Sequence, residues 1–121
     1  MTTEPEERRK DPRHEDFTSD SLIVETTLES GANQALNARL LDVSQGGLGI
    51  ALTAPVAVGD DVDVDGSLSR KGAFLLLRGK ARVAHCMYQK GLPHYRIGLA
   101  FEEFTCQTPD GTPAELIAAD R

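Results

Sequence analysis

The sequence has no tryptophan and only two cysteines, Cys86 and Cys106. Two thiols make no disulfide framework, and they predict a reduced pair in a chain that stays in the cytoplasm. No apolar run approaches the ~20 residues of a membrane-spanning helix, so no membrane insertion is expected. Residues 1–7, MTTEPEE, lack the basic and apolar segments of a secretory signal. Positive charge is in the minority, with 13 Lys and Arg against 19 Asp and Glu, a formal net charge of −6. Duplex DNA repels a net-negative surface, which argues against nucleic acid as a partner. Catalytic groups are sparse as well. His14, His85 and His94 fall in different elements, and with the cysteines they lack metal-ligand spacing. Ser44 has no histidine near it in the sequence, and no Gly-Lys-Ser/Thr follows the glycine-rich turn, so it is not a P-loop. The chain reads as a non-enzyme with no metal site and no resident cofactor.

What remains is 121 residues of globular composition, 40% hydrophobic, enough for one domain with one core. The first 16 residues differ from the rest. Eleven of positions 4–16 are charged or histidine and none is Val, Ile, Leu or Phe. Such a segment cannot bury enough apolar surface to order itself, so 1–16 reads as a flexible arm, with 1–13 mobile until something binds it.

From Phe17 the texture turns to short β-like runs. Ser21–Leu28 is β-branched, Gly31-Ala32-Asn33 is a turn, and Ala35–Val43 alternates loosely as a second strand. After the turn Ser44-Gln45-Gly46-Gly47, the residues Leu48, Ile50 and Leu52 alternate with small ones. Asp61–Asp65 alternates strictly and predicts a half-buried strand. Phe74–Cys86 is a long fifth strand, and His94–Phe101 is a sixth with Tyr95, Ile97, Leu99 and Phe101 on one face. Pro113–Ala119 has a proline followed by strong helix formers, which predicts a short C-terminal helix. The expectation is a mostly β chain: a flexible arm (1–16), a six-stranded antiparallel barrel (17–104) and a tail with a short helix (105–121).

Three features invite a chemical reading. In the arm, Arg9 and Arg13 form Arg-x-x-x-Arg, and two guanidiniums can converge on one phosphorylated ligand. The alternative is a solvated charged tail. In the turn, Asp42 and Ser44 stand two apart on one strand face, with Gly46 and Gly47 permitting positive φ and a close approach to a ligand. The alternative is a hairpin whose Asp and Ser cap their own backbone. In the acidic run, Asp61, Asp63 and Asp65 imitate the start of a calcium loop. Its twelfth position is Gly72 where a bidentate Glu is needed, so a solvated strand face is expected. Arg78 and Arg82 repeat the arm's arginine spacing, by accident, inside a strand.

Arg-x-x-x-Arg followed by Asp42-x-Ser44-x-x-Gly47, within a small β fold that ends on Tyr95-Arg96-Ile97-Gly98-Leu99-Ala100-Phe101, resembles the PilZ domain family over roughly residues 8–104. The resemblance implies a receptor for the bacterial second messenger cyclic di-GMP. By position, Arg9 and Arg13 would grip guanine edges and phosphates, and Asp42, Ser44, Gly46 and Gly47 would hold the other side. Arg8, just before the pair, is similar to members that take up a stacked ligand dimer. The resemblance further implies a surface that changes on binding and is read by a downstream protein. A PilZ-like interaction module that does not bind nucleotide is the competing reading, and the intact motif residues count against it.

Overall fold

The computed structural model describes residues 13–28, 30–88 and 90–116. The predicted mobile stretch therefore lies outside the described residues except for Arg13, as do Arg8 and Arg9. Seven strands form one antiparallel sheet: β1 (Thr18–Thr27), β2 (Asn33–Asn37), β3 (Arg39–Ser44), β4 (Gly47–Leu52), β5 (Asp61–Arg70), β6 (Ala73–Tyr88) and β7 (Tyr95–Gln107). Their order across the sheet is β2-β1-β5-β6-β7-β4-β3.

The expected six strands are seven because Ala35–Val43 is broken at Ala38. The Ala38 N–H donates to the Leu22 carbonyl at 2.8 Å, the last rung of the pairing with β1. The chain before it pairs with β1 and the chain after it pairs with β4. β2 and β3 thus stand at opposite ends of the strand order and do not pair with each other, so the barrel is not closed by hydrogen bonds. The sheet still curls. Val24, Val43, Ile50, Val64, Leu77 and Ile97, from six different strands, meet in one core together with Phe17 and Leu116.

Alternation sets the faces. In β5, Val62 and Val64 are buried while Asp61, Asp63 and Asp65 point outward. Each aspartate lies opposite a cation of β6: Asp61 opposite Arg82, Asp63 opposite Lys80 and Asp65 opposite Arg78. The charged atoms stand 3.6, 3.4 and 3.1 Å apart. Exposed pairs of this kind stabilise little, but three in succession disfavour a slipped register. This cross-strand ladder, extended by Arg82 to Glu102 at 2.9 Å, explains the Arg78-x-x-x-Arg82 spacing. Arg82→Ala is accordingly expected to leave the affinity for any ligand at the Asp42 cleft unchanged within twofold, which titration of the variant checks.

The C-terminal segment departs from the sequence expectation. No helix is present among the described residues. Pro113 bridges to Gln107, and the Ala114 N–H donates to the Cys106 carbonyl at 2.9 Å. The turn that folds it back is tied by Asp110, which accepts from the Thr108 hydroxyl and from the Thr112 N–H. The Thr108 hydrogen bond holds the Asp110 carboxyl below the usual carboxylate range. Backbone groups of 113 and 114 are committed to β7, so no helix starts at Pro113, and Leu116 is delivered into the core. Residues 117–121 lie outside the described residues.

The cysteines are both free. Burial pushes the Cys106 thiol upward in pKa, which keeps it protonated and unreactive. Among the described residues no helix is long and apolar enough to cross a membrane, and no cluster of His, Cys, Asp and Glu has the form of a metal site.

Candidate functional site

β3 carries Asp42 and Ser44 on one face, opposite Gly49 and Gly47 of β4. Asp42 is 4% exposed and is the buried charged residue among those described. A buried carboxylate needs partners, and two guanidiniums supply them. Arg96 of β7 donates from Nη2 to Asp42 Oδ2 at 3.2 Å, and Arg13 Nη1 stands 3.9 Å from the same oxygen. Arg96 bonds the carboxylate directly. Arg13 is 43% exposed and stands too far for a hydrogen bond, so it can turn to a ligand without stranding the charge.

Paired glycines make room for this arrangement. Gly49 and Gly98 are neighbours across β4 and β7. A Cβ on Gly49 would come within 2.6 Å of the Asp42 carboxylate, and one on Gly98 within 2.2 Å of the His85 ring. The bare backbone is therefore a floor on which the carboxylate and the imidazole lie flat. Arg13, Asp42, Ser44, His85, Arg96 and Gly98 border a cleft of about 290 Å³.

The turn residues act differently from the sequence expectation. Neither Gly46 nor Gly47 adopts positive φ. Gly47 is required by β7: a Cβ there would lie 1.9 Å from the Leu99 carbonyl oxygen. The close approach is to a neighbouring strand. Gly46 contributes its carbonyl, which accepts from the Phe101 N–H at 2.8 Å. Ser44 Oγ donates to the Gly47 carbonyl at 3.3 Å, so the hydroxyl ties down the turn while facing the cleft.

Of the residues singled out in the sequence, Arg13, Asp42, Ser44, Gly46 and Gly47 come together at one cleft. Sequence reasoning missed Arg96, His85, Gly49 and Gly98. A signal for the glycines was available. Each stands at an outward position between two inward residues, in Leu48-Gly49-Ile50 and Ile97-Gly98-Leu99, and adjacent bare positions mark a flat place on a sheet. For Arg96 and His85 no local signal exists, since only strand pairing brings them to Asp42.

The chain's arm is fastened next to this cleft. His14 and Val43 exchange backbone hydrogen bonds of 2.7 and 2.9 Å, and Phe17 is buried in the core. Thus His14 and Asp16, expected in a flexible arm, are held against the sheet. A larger groove of about 920 Å³ lies over β1, β5, β6 and β7. Its Asp63, Asp65, Arg78 and Lys80 are already paired with one another in the cross-strand ladder.

Comparison with known proteins places the fold and the family. The PilZ domain family model matches residues 7–110. The c-di-GMP-bound PilZ domain of YcgR from Escherichia coli has a similar fold, with a TM-score of 0.54, 19% identity, and coverage of 79% of each chain. The inhibitor of motility MotI/DgrA of Bacillus subtilis gives a TM-score of 0.59 at 16% identity over 79% of this chain. The present chain spans 43% of the length of that second structure. At these identities the likeness is one of fold. No curated protein matches the sequence.

Proposed function

Since the chain belongs to the PilZ domain family, we propose that it is a receptor for cyclic di-GMP and that the cleft at Asp42 is where the nucleotide binds. The observation that carries the reading is a buried carboxylate at the cleft with a half-exposed arginine 3.9 Å away. A guanine presents N1 and N2 donors, which a fixed carboxylate accepts. A phosphate or a Hoogsteen edge presents acceptors, which a guanidinium fork satisfies. Arg13 supplies that fork, Arg9 supplies a second from the arm, and the turn of Ser44, Gly46 and Gly47 supports the opposite side. The reading is a non-enzymatic one: the nucleotide is bound and released unchanged, in the cytoplasm, and the altered surface is read by a downstream protein. Calorimetric titration with cyclic di-GMP, with GTP and GMP as controls, tests it. The expected result is saturable heat for cyclic di-GMP alone and unchanged ligand on chromatography afterwards. No heat, or equal binding of GTP, rejects it.

Stoichiometry follows from the third arginine of the arm. One cyclic di-GMP has two phosphates and two guanines, which Arg9 and Arg13 largely occupy. Arg8 is then surplus unless a second nucleotide stacks on the first, bringing two more phosphates and an exposed guanine face. A guanidinium stacked on such a face contributes roughly 0.5–2 kcal/mol. The titration end point is expected at two ligands per chain, falling to one in Arg8→Ala. One ligand in both proteins would return Arg8 to the solvated arm.

A further inference from the structure

Arg70 ends β5, 57 residues after Arg13 in the sequence, and it does not itself border the Asp42 cleft. Its place is set by the Lys71-Gly72 turn, where both residues have positive φ (53° and 85°), the backbone of a tight two-residue hairpin. From there the side chain reaches across to the root of the arm. Nε donates to Asp16 Oδ2 at 2.8 Å, the guanidinium lies 5.0 Å from the centre of the Phe17 ring, and Nη2 stands 3.5 Å from His14 Nδ1. One side chain, 19% exposed, thus engages three of the four residues that follow Arg13. An isolated surface ion pair would contribute little. Here the pair is joined to a cation–π contact over a buried ring, and both need the flat fork of arginine. The Arg70 hydrogen bond also holds the Asp16 carboxyl below the usual carboxylate range.

The chain from Phe17 back to Arg13 has few other fixed points. The exchanged hydrogen bonds of His14 and Val43 sit immediately beside Arg13 and set how near it comes to Asp42. We propose that Arg70 is a positioning residue for the ligand-binding arm: by clamping Asp16 and Phe17 it holds the His14–Val43 bridge closed and so presents Arg13 at the cleft. The inference rests on the cyclic di-GMP reading for its effect on binding, but not for the clamp itself.

Two measurements on Arg70→Ala and Arg70→Met test it, the second variant keeping apolar cover over Phe17. Without the clamp, the arm must be ordered when the nucleotide binds, and both variants are expected to bind cyclic di-GMP about three- to tenfold more weakly. In an Arg13→Ala background the same changes are expected to cost clearly less than in the wild type, because Arg70 acts largely through Arg13. Amide hydrogen exchange in the free protein provides the second readout. His14 and Val43 are expected to lose protection in both variants, while Ile50 and Leu99 keep theirs. Wild-type affinity in both variants, or an equal loss with and without Arg13, overturns the proposal. If the wild type binds no cyclic di-GMP, the functional reading falls and exchange alone decides the clamp: unchanged protection of His14 and Val43 refutes it.

Discussion

Asp42→Ala is expected to weaken cyclic di-GMP binding by about ten- to a hundredfold, a loss of roughly 1.5–3 kcal/mol. The size follows from what is removed. The carboxylate is buried, so in the complex it is an acceptor with little competing water, and the guanine donors it leaves behind would be desolvated without a partner. A stability loss does not explain the effect away. The partners left by the substitution, Arg96 and Arg13, have side chains 34% and 43% exposed, and water can take over their donors. The variant should therefore unfold within about 1–2 kcal/mol of the wild type. Asp42→Asn keeps the shape and one acceptor but not the charge, and an intermediate affinity is expected. Arg13→Ala should match Asp42→Ala in affinity and leave stability unchanged. Titration and thermal melts on the three variants check the pattern, and a wild-type affinity for Asp42→Ala would remove the carboxylate from the site.

Gly47→Ala is expected to cost the fold itself on the order of 2–4 kcal/mol. The added Cβ would lie 1.9 Å from the carbonyl oxygen of Leu99 and 3.3 Å from the Cα of Ala100. Those atoms are backbone at the turn end of the β4–β7 ladder, against a strand β4 that is buried throughout, and they cannot give way as a side chain would. Relief requires β4 and β7 to separate at the turn, breaking the Phe101 N–H to Gly46 bond next to it. The melting temperature should fall by roughly 10 °C. Gly98→Ala provides the contrast. Its Cβ meets the ring of His85, the free end of a side chain, which can rotate away. Little stability should be lost there, whereas the displaced imidazole narrows the cleft. Equal melting temperatures for Gly47→Ala and the wild type would contradict the packing described for this strand pair.

The candidate site was legible in part because its residues sit close together in the chain. Asp42, Ser44 and Gly47 occupy one strand end and turn, and spacing two apart on a strand does put Asp42 and Ser44 on one side. The role of Gly47 was not legible. Its sequence suggests conformational freedom, while the structure uses it for the passage of a strand 52 residues away. Arg96 was read only as part of a closing strand, since nothing local says that an outward arginine on β7 will meet a carboxylate on β3. Strand number failed at Ala38 for a similar reason. Loose alternation from Ala35 to Val43 looks like one strand, and nothing local marks the point after Ala38 where the chain stops pairing with β1 and begins pairing with β4. Strict alternation, as in Asp61–Asp65, carried its prediction because a half-buried face leaves no other register. Over Pro113–Leu116, the described part of the expected helix, helix propensity lost to backbone pairing with Cys106 and Gln107 and to burial of Leu116.

The most direct test of where the nucleotide sits is an amide chemical-shift titration of the whole chain with cyclic di-GMP. The cleft predicts the largest changes at Arg13, Asp42, Ser44, Gly46, Gly47, His85 and Gly98, with the amides of Asp63, Asp65 and Lys80 in the larger groove unmoved. Changes concentrated on that groove, with Asp42 and Ser44 silent, would contradict it.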